Sequence, residues 1–294
     1  MREKIEDLTL SEFGRCWKRK MPVAKPAVAV GKEILYGSGK EYFWIASPGY
    51  RVLLDLFQGG SIGDLRPYAG HFSAFTGPDS PMREINTYPY LIQSQIRTGV
   101  KTHSADGSRT TLKLFHGAEE KDLCFYPTRI EAAERSGNRT TARLAPVTVK
   151  FGDGFSVTLQ TIYRFLEDGI IEVCRRILER NGSGGLDLQE YFKGCYGFTE
   201  YPEDMHEIML AIGEKKVHYN YRGRALRSEE QQACVCELPP VNTRVILKAP
   251  DGGAQLAELE KGHLFSPFYA MKLTYRMEEG RKETVSWIQI SALR

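Results

Sequence analysis

The sequence predicts an all-β fold, a large antiparallel sandwich preceded by a short N-terminal helix, and three observations carry that prediction. From Ala27 onward, apolar residues recur with a period of two, in runs rich in β-branched and aromatic side chains. Asp-Gly and Asn-Gly dipeptides, which supply positive φ in tight hairpins, punctuate those runs. Between 155 and 192 there is no room for the helix of a dozen or more residues that a parallel crossover needs.

In chain order, the first element is the helix. Thr9-Leu10-Ser11-Glu12 fits a capping box, and Leu10, Phe13 and Trp17 follow on one helical face. The basic end, Lys18-Arg19-Lys20, complements a helix C-terminus. Pro22 and Pro26 then set an extended lead, so the expected division is 1–26 for helix and lead-in and 27–294 for one β-sandwich domain. Strands are predicted over 27–36, 42–47, 52–57, 90–100, 110–115, 155–165, 170–178, 186–192, 245–248, 268–276 and 284–290. Turn chemistry lies at 105–108, Gly152-Asp153-Gly154, Glu167-Asp168-Gly169, Asn181-Gly182 and Asp251-Gly252-Gly253. The segment 203–213 fits a short helix through Met205, Ile208, Met209 and Ile212. It also fits a strand face through His206, Ile208, Leu210 and Ile212, and the choice decides where His206 points.

Composition excludes several classes. At 294 residues the chain can bury about three quarters of its unfolded surface. With 41% hydrophobic and 26% charged residues it is neither disordered nor a coiled coil. A net charge of +3 is too small to indicate a nucleic-acid or anionic-membrane surface. No apolar run approaches the ~18 residues that cross a bilayer, and 1–20 lacks the apolar stretch of a secretory signal. Six dilute cysteines without a C-x-x-C pair agree with a cytoplasmic protein. Cys234-Val235-Cys236 has no third or fourth ligand at zinc spacing, so no metal is expected. Phosphate-loop, dinucleotide, nucleophile-elbow and zincin motifs are absent, and no cofactor is expected.

Residues 52–65 read as an apolar strand, a Gln58-Gly59-Gly60 bend and a second strand, Ser61-Ile62-Gly63-Asp64-Leu65, before the loop Arg66-Pro67-Tyr68-Ala69-Gly70-His71. Later, 155–163, Glu167-Asp168-Gly169 and Ile170-Ile171-Glu172-Val173 running on to Arg180-Asn181 form a hairpin ending in a polar strand. Together these resemble the galactose mutarotase-like superfamily of carbohydrate enzymes, by element order and length over 27–294. The resemblance implies an antiparallel supersandwich and carbohydrate chemistry. The Asn-Arg pair that the family carries shortly after the bend is not found after Gly60, and no His-x-x-Tyr-Phe-Asn-Leu block follows. The likeness therefore concerns the fold rather than the mutarotase motifs.

Period-two counting also selects site candidates. On 90–97, Leu91, Gln93, Gln95 and Arg97 share a face that can hydrogen-bond hydroxyl-rich ligands or, alternatively, simply meet solvent. Glu190 shares its face with Leu186, Leu188 and Phe192. A carboxylate on an apolar face is a candidate general acid or base, and the alternative is an ion pair at the strand end near Lys193. Among the six histidines, His103 and His116 flank a hairpin and are expected to be exposed, and His218 and His263 stand beside turns. His71 and His206 lie in aromatic, polar neighbourhoods with Tyr68, Tyr196, Tyr201 and Glu200, which suit sugar stacking and proton transfer. The expected catalytic set is His71, His206, Glu190 and Glu200, with Arg97, Gln93, Gln95, Tyr68, Tyr196 and Tyr201 binding substrate. The expected function is acid/base chemistry on a sugar or glycoside, of epimerase, hydrolase or lyase type. The alternative is a non-catalytic carbohydrate-binding or assembly module. The expected partner is a sugar or oligosaccharide, with no nucleic acid and no membrane, and homo-oligomer formation is left open.

Overall fold

A computed structural model describes residues 27–32, 41–46, 50–67, 92–93, 109–195, 208–218, 226–239, 243–251, 253–263 and 266–293. The predicted N-terminal helix and the 105–108 turn lie outside them. β1 (Ala27–Lys32), β2 (Glu41–Ala46), β3 (Tyr50–Asp55), β4 (Ser61–Pro67) and β5 (Ile92–Gln93) pair in that order as an antiparallel meander. The bend between β3 and β4 is a single 3-10 turn over Leu56–Gln58. The Asp55 carboxylate caps it, accepting from the Phe57 and Gln58 amides at 3.0 and 3.2 Å. Gly59 ends the turn at φ 67°, and a Cβ there would overlap the Leu123 carbonyl, so the glycine of the bend is required twice over.

The chain continues through β6 (Arg109–His116), β7 (Glu119–Asp122), β8 (Ile130–Ser136), β9 (Arg139–Leu144) and β10 (Val147–Lys150). The long strands β11 (Ser156–Leu166), β12 (Ile170–Asn181) and β13 (Leu186–Cys195) follow, joined by the predicted turns, with Gly169 at φ 87° and Gly182 at φ 93°. Next come β14 (Met209–Ile212), β15 (Lys215–His218), β16 (Leu226–Gln231), β17 (Ala233–Leu238) and β18 (Thr243–Lys248). β19 (Ala254–His263), β20 (Ser266–Met277) and β21 (Glu283–Ala292) close the chain. One ten-stranded sheet runs β15-β14-β17-β18-β21-β12-β11-β9-β8 with β10 beside β11, and a six-stranded sheet runs β16-β19-β20-β13-β6-β7. Every described pairing is antiparallel, as predicted. In the ambiguous segment, 209–212 is strand, with Ile208, Leu210 and Ile212 buried; His206 lies outside the described residues.

Several strands carry no apolar alternation and were not expected. β7, β8, β15 and β16 are the end strands of their sheets. Glu-Glu-Lys-Asp in β7 and the largely exposed β8 and β16 show why: charged edges discourage pairing with another chain, and the same charges erase the pattern.

The core has two apolar clusters. One joins all three sheets through Phe43, Tyr50 and Leu65, Phe165 and Ile288, and Phe192 and Met271. The Tyr50 hydroxyl ties the first sheet to the β11–β12 hairpin by donating to the Leu166 carbonyl at 3.0 Å. The second cluster packs Leu112, Leu114, Leu186 and Leu188 against Val157, Leu159 and Ile177. Each such side chain contributes roughly 1.5–3 kcal/mol on full burial, so the two large sheets are held face to face. What separates the clusters is polar.

Candidate functional site

On β13, Leu186, Leu188, Glu190 and Phe192 all point into the sandwich, as their alternation predicts. Glu190 meets Arg175, which sits between Val173 and Ile177 on β12 of the opposing sheet. Arg175 Nε donates to Glu190 Oε1 at 2.9 Å and Nη2 to Oε2 at 2.8 Å, while Nη1 donates to Thr161 Oγ1 at 2.8 Å. The Tyr275 hydroxyl lies 3.3 Å from both Glu190 Oε1 and Thr284 Oγ1. Side-chain exposure is 4% for Arg175 and 5% for Glu190. Burial by itself would lower the Arg175 guanidinium; the Glu190 charge and its hydrogen bonds outweigh it and raise it. Burial, then the same carboxylate, pushes the Tyr275 hydroxyl up. The partner of Glu190 is therefore Arg175 rather than Lys193, whose side chain belongs to the other face of β13.

That other face of the six-stranded sheet gathers a second set of polar groups. Tyr191 pairs in register with Lys272 of β20 and Thr111 of β6, and Gln189 with Thr274 and Lys113. The row extends through Glu258 of β19, opposite Lys272, to Arg227 of β16. The Lys113 and Lys272 ammoniums lie 5.7 and 5.4 Å from the Tyr191 ring centroid. Each is also neutralised: Lys113 by Glu120 at 2.5 Å and Lys272 by Glu260 at 2.6 Å. Arg227 pairs with Glu258 at 2.7 Å, and Gln189 Nε2 donates to Thr274 Oγ1 at 2.9 Å. Gln189, Lys193 and Glu258 are buried although they face away from the core. These rows offer amide, hydroxyl, ammonium and carboxylate groups around one aromatic ring. They can hydrogen-bond vicinal hydroxyls, and no imidazole stands among them. Their sequence signal is the complement of the inward alternation: the residues between Leu188, Glu190 and Phe192 are Gln189 and Tyr191. Only register adds Lys113, Lys272 and Glu258.

Of the predicted site residues, His71, His206, Glu200, Arg97, Gln95, Tyr68, Tyr196 and Tyr201 lie outside the described residues. The backbone of Gln93 pairs with Asp64 at the end of the first sheet. The strands that precede these residues contact the six-stranded sheet, β4 against β6 and β5 against β13, and the Ile62 amide donates at 3.0 Å to Thr110 Oγ1, on the inward side of β6 with Leu112. Tyr68 and His71 follow β4, Gln95 and Arg97 follow β5, and Tyr196 follows β13, each within four residues of a strand end.

Cys234 and Cys236 are buried in the first apolar cluster, and burial pushes the Cys234 thiol up to about 12. Among the described residues, no three His, Cys, Asp or Glu side chains are grouped to hold a metal ion. No helix among them is long and apolar enough to cross a membrane. His116, expected to be exposed, is buried, because the β10–β11 turn at Asp153 and the β12–β13 turn at Gly185 close over it.

The three-sheet antiparallel architecture is similar to the fold of several solved structures. A galactose mutarotase-like protein from Clostridium acetobutylicum superposes with a TM-score of 0.60 at 8% identity, covering 90% of this chain and 99% of that one. The protein HI1317 gives 0.56 at 9% identity over 91% and 100% of the two chains. The 4-alpha-glucanotransferase from Thermococcus litoralis gives 0.52 at 10% identity over 96% of this chain and 42% of the longer enzyme. No family model matches the sequence, and no curated protein matches it. At these identities the likeness is one of fold.

Proposed function

We propose that the protein is carbohydrate-active and binds its sugar on the outward polar face of the six-stranded sheet. The observation that carries this reading is the row centred on Gln189 and Tyr191, flanked by Lys113, Lys272 and Thr274. The fold, shared with a galactose mutarotase-like protein and with part of a glucanotransferase, supports it. In this reading Gln93, Gln95 and Arg97 extend the hydrogen-bonding set, and Tyr68, Tyr196 and Tyr201 supply further stacking surfaces. The reaction is proton transfer at a sugar carbon or glycosidic bond, with His71 or His206 as one acid/base and Glu200 as the other. Glu190 is assigned a positioning role instead. Both of its oxygens are occupied by the Arg175 fork, and it lies on the inward face of the strand that carries Gln189 and Tyr191. The dilute cysteine content fits action in a reducing cytoplasm.

One observation favours a second reading, a non-catalytic sugar-binding module: the described rows hold hydrogen-bonding groups and ion pairs without an imidazole. A panel of free sugars and glycosides, assayed for binding by calorimetry and for turnover by product analysis, separates the two. Turnover that disappears in His71→Ala or in His206→Ala while binding persists supports the enzyme. Binding without turnover supports the module, and no binding to any member removes both.

A further inference from the structure

His116 ends β6 at the opposite extremity from the bend at Gly59. Its ring stacks on Phe155 at a centroid distance of 3.9 Å and an interplanar angle of 10°, with Phe151 at 5.4 Å. Nδ1 is 2.8 Å from the Gly185 carbonyl, in the turn between β12 and β13. Nε2 is 2.8 Å from Asp153 Oδ2, in the turn between β10 and β11. Gly184, at φ 116°, makes room: a Cβ there would come within 2.9 Å of the His116 ring. One side chain of the six-stranded sheet thus fastens a turn within the ten-stranded sheet to the turn that crosses between the two sheets.

The chemistry of the two acceptors sets the condition for this fastening. A carbonyl oxygen only accepts, so Nδ1 must carry a proton to bond Gly185. The Phe155 amide donates to Asp153 Oδ1 at 2.9 Å and, together with the His116 ring, holds the Asp153 carboxyl below its usual range. An ionised carboxylate also only accepts, so Nε2 must carry a proton as well. The other charges around the ring come from each packed element. Glu119 of β7 accepts from the Gly152 amide at 2.7 Å, and the Lys121 ammonium lies 5.9 Å from the Phe151 ring centroid. The Arg180 guanidinium of β12 lies 5.3 Å from the Phe155 centroid and donates to the Gly184 carbonyl.

We propose that His116 is a proton-operated latch, closed when both ring nitrogens are protonated, that holds the 151–155 and 182–185 turns together and releases them as pH rises. Loss of one ring proton leaves two acceptors facing each other, and one turn must let go. The closed form therefore requires a doubly protonated ring and an ionised Asp153. Its lower limit is protonation of Asp153, which the depressed carboxyl moves to more acid conditions.

Amide hydrogen exchange of the intact protein, corrected for intrinsic pH dependence, tests this directly. Protection at 151–155 and 182–185 should fall roughly tenfold as the imidazole is titrated, the loss of one charge-assisted hydrogen bond. The 167–169 turn should not respond. His116→Gln, which keeps one donor, and Asp153→Asn should each flatten the pH response. Protection that is independent of pH in the wild-type protein, or an unchanged step in both variants, would overturn the latch. The wild-type measurement alone decides if either variant fails to fold.

Discussion

Arg175 and Glu190 come from opposite sheets and meet fork to fork, at 2.9 and 2.8 Å, at the level where the two apolar clusters are divided. On each strand the division is visible: Val173 and Ile177 flank Arg175, and Leu188 and Phe192 flank Glu190, with one neighbour in each cluster. Sliding one sheet by a residue pair would bury both charges against hydrocarbon, so the pair enforces the stacking of the two sheets.

Glu190→Gln leaves the guanidinium buried and uncompensated, and stability should fall by about 3–5 kcal/mol. The double change Arg175→Met with Glu190→Leu should recover most of it. Chemical denaturation of the three proteins measures this, and a Glu190→Gln variant of unchanged stability contradicts it. Turnover per folded molecule should change far less than stability if Glu190 positions the strand.

Tyr191→Ala and Gln189→Ala remove the centre of the outward row without touching the core. Sugar affinity should fall about tenfold or more in each, with the melting temperature within a few degrees of wild type. Calorimetry on the best ligand from the panel reads both; full affinity in both variants would move the site elsewhere.

Gly59→Ala sets a side chain in the left-handed region and against the Leu123 carbonyl. A loss of roughly 2 kcal/mol or more is expected, read from the urea midpoint. A neutral result would mean that the bend does not hold the close approach between the 3-10 turn and Leu123.

Arg176 and Glu283 are register partners on β12 and β21, 2.8 Å apart, and Arg176 holds the Glu283 carboxyl below its usual range. A depressed carboxyl contributes stability above its unfolded value, near 4.3, and loses it as pH falls through the folded one. Both groups are partly exposed, so the effect is small and screened by salt. Acid titration of stability should show a shallower slope below pH ~4 in Arg176→Ala than in wild type; identical slopes would contradict the assignment.

Sequence alone determined what depends on neighbours along the chain. Alternation set Leu186, Leu188, Glu190 and Phe192 on one inward face, and Asp168-Gly169 and Asn181-Gly182 placed the turns of the long hairpins, because strand period and turn dihedrals are local properties. The edge strands β7, β8 and β16 escaped because charges that protect an edge cancel the alternation. Tertiary structure decided the rest. That Glu190 pairs with Arg175 rather than with nearby Lys193 depends on how two sheets stack, and a side chain's opposite number in another sheet leaves no trace in spacing. The same holds for Tyr191 between Lys113 and Lys272, set by strand register, and for His116, which two distant turns bury under a ring and between two acceptors.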